Sequence, residues 1–304
     1  MPKRIFAVIV FGLSTVAFLY SNSALHFLVD PLSIYFVGAV APVIFIAAWT
    51  GAAHWSESTL ALGLPMGLLG GTVGLTALSA YINDPSAAYP ASAFMLLTVL
   101  YGGILSAIGY FGADVVEKQN NRLTKTGLVM ALTPFVCMVC WHVWRWQISP
   151  FFSLDAVGVF FAVFATQIIF SHRFSFQRVT EGTLFGAIVC LILGLILWYS
   201  TGELDRDAVN LAVNGLNYGL TIYIVAYIIS LSQANNESEK IETGRANWHW
   251  MEVTAFMVFM LFAPETIRET LLREQNAVAQ VEATELLEQR FTSLEQRILN
   301  MENQ

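Results

Sequence analysis

Long apolar runs alternate with short polar breaks along most of the chain. A helix rises about 1.5 Å per residue, so a bilayer crossing takes about 20 apolar residues. Runs of that kind fall at 4–21, 32–50, 60–82, 91–114, 126–144, 152–171, 182–201, 209–231 and 247–264, which predicts nine membrane helices with short connections. Beyond 264 the pattern changes. Leu287, Phe291, Leu294, Ile298 and Met301 recur at spacings of four and three, the seam of a heptad. Ile267, Leu271, Val278 and Val281 hold another phase, so the seam slips between the two sets. A self-associating coiled-coil helix over 265–304 is expected. The alternative is one amphipathic helix lying on the membrane.

Composition agrees with the pattern. The chain has 304 residues, 56% hydrophobic and only 12% charged, where soluble domains carry about 25% charged residues. Mean hydropathy is +0.60. The expected class is an all-α, polytopic membrane bundle. The net charge of −7 says little about it, because residues 265–304 alone hold eight Glu and four Arg. Positive residues set orientation. Lys3, Arg4, Lys118, Arg122, Lys125, Arg173, Arg178, Lys240 and Arg245 would share one side, leaving Arg145 and Arg206 on the other. The N-terminus is therefore expected in the cytoplasm, and the tail outside an inner membrane. MPKRIFAVIVFGLSTVAFLY has a basic start but no clean small-x-small cleavage site, so it reads as a retained first span. Cys137, Cys140 and Cys190 lie in apolar runs and imply no disulfide framework.

The apolar segments repeat. FLVDPLSIYFVGAVAPVIFIAA (27–48) parallels FSLDAVGVFFAVFATQIIFSH (152–172), and GLPMGLLGGTVGLTAL (63–78) parallels GTLFGAIVCLILGLIL (182–197). In LLTVLYGGILSAIGY (96–110) and VNGLNYGLTIYIVAY (213–227), Tyr101-Gly102 falls on Tyr218-Gly219 and Tyr110 on Tyr227. The offset stays near 120, which suggests two parallel four-span units, 1–121 and 122–236. A final span, 237–264, and the tail, 265–304, would follow.

One segment stands apart. GLPMGLLGGTVGL (63–75) carries five glycines, Pro65 and Thr72 where lipid-facing residues would be larger. Small residues let membrane helices approach closely. Gly63, Gly67, Gly70, Gly71 and Gly74 make a strip for that purpose. Pro65 frees a backbone carbonyl, near the start of the predicted helix, where a kink costs least.

The order Pro-x-Gly-x-x-Gly-Gly-Thr-x-Gly-Leu, then Asp-Pro, then Leu-Leu-Thr-x-Leu-Tyr-Gly resembles the last two membrane helices of the MotA/TolQ/ExbB proton-channel family, closest to its MotA flagellar-stator branch. The matching residues are Pro65, Gly71, Thr72, Gly74, Asp84, Pro85, Thr98, Tyr101 and Gly102. Asp30-Pro31-x-Ser33 and Val37-Gly38 resemble that branch's second helix. The resemblance implies threonine-lined proton passage, with Thr72 and Thr98 on the path. It also implies a homo-oligomer around a single-span MotB/ExbD-like partner that carries the acidic residue. Val99 and Gly112 depart from the branch pattern. The branch's large cytoplasmic domain has no counterpart in TGAAHWSEST (50–59). In the second unit Ile192 and Gly215 replace the two threonines, while Asn214 and Asn217 add other polarity.

Glu252 lies in GRANWHWMEVTAFMVFMLFAPE (244–265), and a carboxyl inside a span is a functional candidate. With Trp248, Thr254 and Ala255 it resembles a MotB-type helix, which would place the partner's acidic residue in this chain. The alternative holds Glu252 and His249 at headgroup level beside the tryptophans. His142, in WHVWRWQ (141–147), reads as part of an outer aromatic belt with Arg145. The Cys137-x-x-Cys140 pair reads as apolar filling rather than a metal site, and neither a cofactor nor a metal is expected. No HExxH, P-loop or dinucleotide glycine pattern has a credible context, and no basic stripe for nucleic acid occurs. The expected function is ion transport coupled to motion or to a partner, not enzymatic. A non-conducting scaffold presenting a stalk is the alternative.

Overall fold

The computed structural model describes residues 30–80, 85–112, 121–145, 151–169, 176–201 and 206–232, together with scattered helical positions between 272 and 292. Eight helices lie in the continuous segments: α1 (Pro31–Gly38), α2 (Ala41–Thr50), α3 (Trp55–Ala80), α4 (Pro85–Gly112), α5 (Lys125–Arg145), α6 (Leu154–Ile169), α7 (Phe176–Thr201) and α8 (Arg206–Ser230). There is no strand among the described residues. Among the described residues six stretches are long and apolar enough to cross a membrane: Pro31–Thr50, Trp55–Ala80, Pro90–Tyr110, Lys125–Arg145, Arg178–Ser200 and Asp207–Ser230. The protein is an all-helical, polytopic membrane protein. The expected spans at 4–21 and 247–264, Glu252 with them, and Asp84 lie outside the described residues. So does most of the heptad seam, of which Leu287 and Phe291 are helical and exposed.

The span expected at 32–50 is broken in two. Pro42 has no N–H to offer the carbonyl of Gly38, and its ring crowds that carbonyl, so α1 ends and α2 restarts. Asp30 caps α1: its carboxylate accepts from the Leu32 and Ser33 N–H groups and from the Ser33 hydroxyl. Gly51, in the left-handed conformation, closes α2.

α3 is the centre of the molecule. It packs on α1, α2, α4 and α8, and 21 of its 26 residues are buried. The second group, α6–α8, packs on itself and meets the first mainly through α8 against α3, with α5 lying between α2 and α8. The turns at 51–54, 121–124 and 231–232 gather at one end. Asn121 sits against Gly51, and the Leu123 N–H donates to the Leu231 carbonyl at 2.9 Å. α3 and α7 both run 26 residues. Phe176 follows Trp55 by 121 positions, as Arg206 follows Pro85.

Candidate functional site

The glycine strip of α3 faces α4. A methyl group added at Gly67 would lie 2.7 Å from the Thr98 carbonyl oxygen and 2.8 Å from the Gly102 Cα. At Gly70 it would strike the Thr98 side chain, and at Gly74 the Met95 backbone. The approach is reciprocal, since a methyl at Gly102 would sit 2.5 Å from the Gly67 Cα. Such contact gains dispersion between backbones, the main attraction left to helices already surrounded by lipid.

Pro65 lies deeper than the sequence suggests. α3 begins at Trp55, so the proline falls in the third turn and not at the helix start. A side chain from α4 repairs the ladder beside it. The Ser106 hydroxyl accepts from the Leu64 N–H at 2.8 Å and lies 3.3 Å from the Leu60 carbonyl, two groups of the same turn. Gly63 makes room for it: a methyl there would lie 2.7 Å from the Ser106 nitrogen.

The opposite side of α3 is polar. Thr72 stands two residues from both Gly70 and Gly74, about 200° around the helix from each. Thr76 and Ser79 follow it at spacings of four and three, and all three are buried. This face meets α8, where Asn210, Asn214 and Asn217 repeat the same spacing. The Asn217 amide donates to the Thr76 hydroxyl at 3.1 Å and to the Asn214 side-chain amide oxygen at 3.2 Å. The Ser79 hydroxyl donates to the Thr76 carbonyl at 2.8 Å, with the Asn210 amide oxygen 3.4 Å away. Farther along, the Tyr227 hydroxyl lies 3.4 Å from that of Ser58.

Thr72 and Thr98 are both fully buried, yet they occupy different seams, Thr72 away from α4 and Thr98 against Gly70. Each hydroxyl is spent on its own helix. Thr72 donates to the Leu68 and Leu69 carbonyls, and Thr98 to those of Phe94 and Met95. Tyr101 leaves the α3 seam and reaches α1, where its hydroxyl lies 3.5 Å from the Asp30 nitrogen. Gly71 is buried within α3. Of the second unit's counterparts, Ile192 is exposed and Gly215 lies on Cys190.

His142 differs from its expected place in an outer belt. Trp141 and Trp144 are exposed, and the Arg145 guanidinium lies 5.7 Å above the Trp141 ring, but His142 is buried. Its ring meets Phe36 edge-on at 4.7 Å and stacks on Phe94 at 5.4 Å. Nδ1 lies 3.0 Å from the Met138 carbonyl, and Nε2 has no partner. The signal was present in the spacing: Ala131, Phe135, Met138 and His142 form one seam of fours and threes, all buried. Cys137 and Cys140 lie off that seam and are exposed. Among the described residues no cluster of His, Cys, Asp or Glu could hold a metal ion.

Over 71 residues the chain is 50% identical to the chemotaxis protein PomA of Vibrio alginolyticus. It resembles the MotA/TolQ/ExbB family. The match covers 21% of this chain and 28% of PomA, so it spans little more than a quarter of that relative's length. No family model and no solved structure matches.

Proposed function

We propose that this chain is an ion-channel-like protein of the MotA/TolQ/ExbB kind, seated in the bacterial inner membrane. It couples proton or sodium flow to motion or to a partner, and it is a transporter rather than an enzyme. The observation carrying this reading is the 50% identity to PomA over 71 residues. The Asp30–Tyr101 contact supports it, because two separate family-like stretches meet there. The equal 121-residue displacement of α3 to α7 and of α4 to α8 supports a tandem duplication, the second unit being the degenerate one. In this reading Glu252 carries the ion, Thr72 and Thr98 belong to the protein around its path, and the tail oligomerises the chain. A separate single-span partner is needed only where Glu252 does not fill that role.

Proton flux into liposomes holding the full chain tests it. The parent is expected to conduct, and Glu252→Gln to abolish conduction. Unchanged flux in the variant removes Glu252 from the path, and no flux in the parent rejects the channel. A non-conducting scaffold is the second reading. It is favoured by α3, whose polar face is closed by α8 and whose two threonine hydroxyls are both held by backbone carbonyls.

A further inference from the structure

The described residues contain one continuous polar seam between the two helix groups, of which the family resemblance names only Thr72. Six side chains make it: Thr72, Thr76 and Ser79 from α3, and Asn210, Asn214 and Asn217 from α8. Spacings of four and three put each trio on one helix face. The helices run antiparallel, since Ser79 meets Asn210 and Thr76 meets Asn217.

The seam is not saturated. Asn217 is 6% exposed, and its Oδ1 has no hydrogen-bond donor. Turning the amide over does not help. The oxygen would then face the Asn214 side-chain amide oxygen, and the Thr76 hydroxyl, whose proton goes to the Thr72 carbonyl. The other hydroxyls of α3 are committed to backbone carbonyls in the same way. A clasp built only to hold two helices together satisfies every buried amide. This one keeps an acceptor free in the membrane interior.

The two ends of the seam differ. Toward the start of α8 it reaches Asn210 and then Asp207, which is exposed. Toward the other end the spacing of four and three continues on α8 as Thr221, half-buried, and Ile224, fully buried and apolar. The polar file therefore runs from exposed Asp207 to Thr221, and the apolar Ile224 follows it.

The geometry points to a water-accessible half-channel inside a single chain, in which Asn217 Oδ1 is the inner acceptor for water or hydronium entering from the Asp207 end. It deepens the proposed channel function, and rests on it for proton movement alone; hydration of the file stands or falls separately.

Silver ions test the hydration, because they reach and block thiols through narrow aqueous paths. The native cysteines are replaced (Cys137→Ala, Cys140→Ala, Cys190→Ala) in the full chain in liposomes. Single cysteines are then introduced as Ser79→Cys, Asn214→Cys, Leu220→Cys and, in the glycine seam, Thr98→Cys. After silver treatment the protein is denatured and remaining thiols are labelled with a maleimide. Labelling is expected to be lost at 79 and 214 and kept at 98 and 220. Labelling kept at 79 and 214 overturns the proposal and leaves a dry clasp. Ser79→Cys changes one atom in a side chain near the open end, so it reports even where the asparagine variant does not fold. Silver access in a parent that shows no proton flux upholds the hydrated file and rejects the channel function.

Discussion

Gly102→Ala is expected to unfold or severely destabilise the protein, while Gly103→Ala, one residue away, leaves it intact. The two glycines share a helix and differ in what they meet. A methyl group on Gly102 would stand 2.5 Å from the Gly67 Cα, 2.6 Å from the Gly63 carbonyl oxygen and 2.8 Å from the Gly67 nitrogen. All three are backbone atoms of α3, which α1, α2 and α8 hold from its other sides. No rotamer change can relieve the clash, so α3 and α4 must separate. Overpacking costs about 1–3 kcal/mol where side chains can shift, and the upper end or beyond is expected here. Gly103 has nothing within 4 Å of the same added atom. There alanine favours the helix by about 0.5–1 kcal/mol. Thermal unfolding in detergent should place the two variants on opposite sides of the parent. Equal midpoints would show that the α3–α4 seam is looser than its geometry.

Ser106→Ala should be the second most damaging of these changes, although it removes a single oxygen. That oxygen serves the Leu64 N–H and the Leu60 carbonyl together, in a place water does not reach from lipid. Leaving buried backbone groups unpaired costs about 1–3 kcal/mol. The loss should depend on the proline. With Pro65→Ala in the same chain the backbone regains the N–H that pairs with the Ala61 carbonyl, and the turn leans less on Ser106. The double variant is then expected to lose less than the two single losses combined. Unfolding midpoints of the four proteins in a double-mutant cycle measure that coupling. Strict additivity would mean that Ser106 does not act through the proline turn.

Much of this arrangement is legible in the sequence, and the rest is hidden for identifiable reasons. Hydropathy locates α3, α4, α5, α7 and α8 within a few residues, because lipid demands long apolar runs. The spacing of Gly63, Gly67, Gly70 and Gly74 announces a close helix contact. The depth of Pro65 does not show. Ser56, Ser58 and Thr59 lower the hydropathy of the first turn, so α3 seems to begin later than it does. Those side chains are buried in protein, and a transfer scale that measures lipid cannot register that. His142 is masked by its tryptophan neighbours, which mark the membrane boundary on one face of α5 while the histidine takes the other. The asparagines of α8 are visible as polar positions, but their partners on α3 lie more than 130 positions earlier in the chain, with 131 separating Ser79 from Asn210. No local pattern carries that pairing. Thr72 and Thr98 belong to family-like motifs, yet their placement in different seams follows from helix phase and from α8 occupying one of them.

The enclosure of α3 has a consequence for how the protein is made. α3 leaves the ribosome well ahead of α8, the element that covers its polar face, with four helices between them. Thr72, Thr76 and Ser79 must therefore meet the bilayer before Asn210, Asn214 and Asn217 exist. Their hydroxyls turned onto backbone carbonyls of α3 itself are what make that wait tolerable, since each proton is already satisfied within a lone helix. The asparagines have no such provision, and they arrive only after α3 and the four helices that follow it have been made. The bonding that settles α3 in the finished molecule is thus also the bonding that lets it stand alone during synthesis.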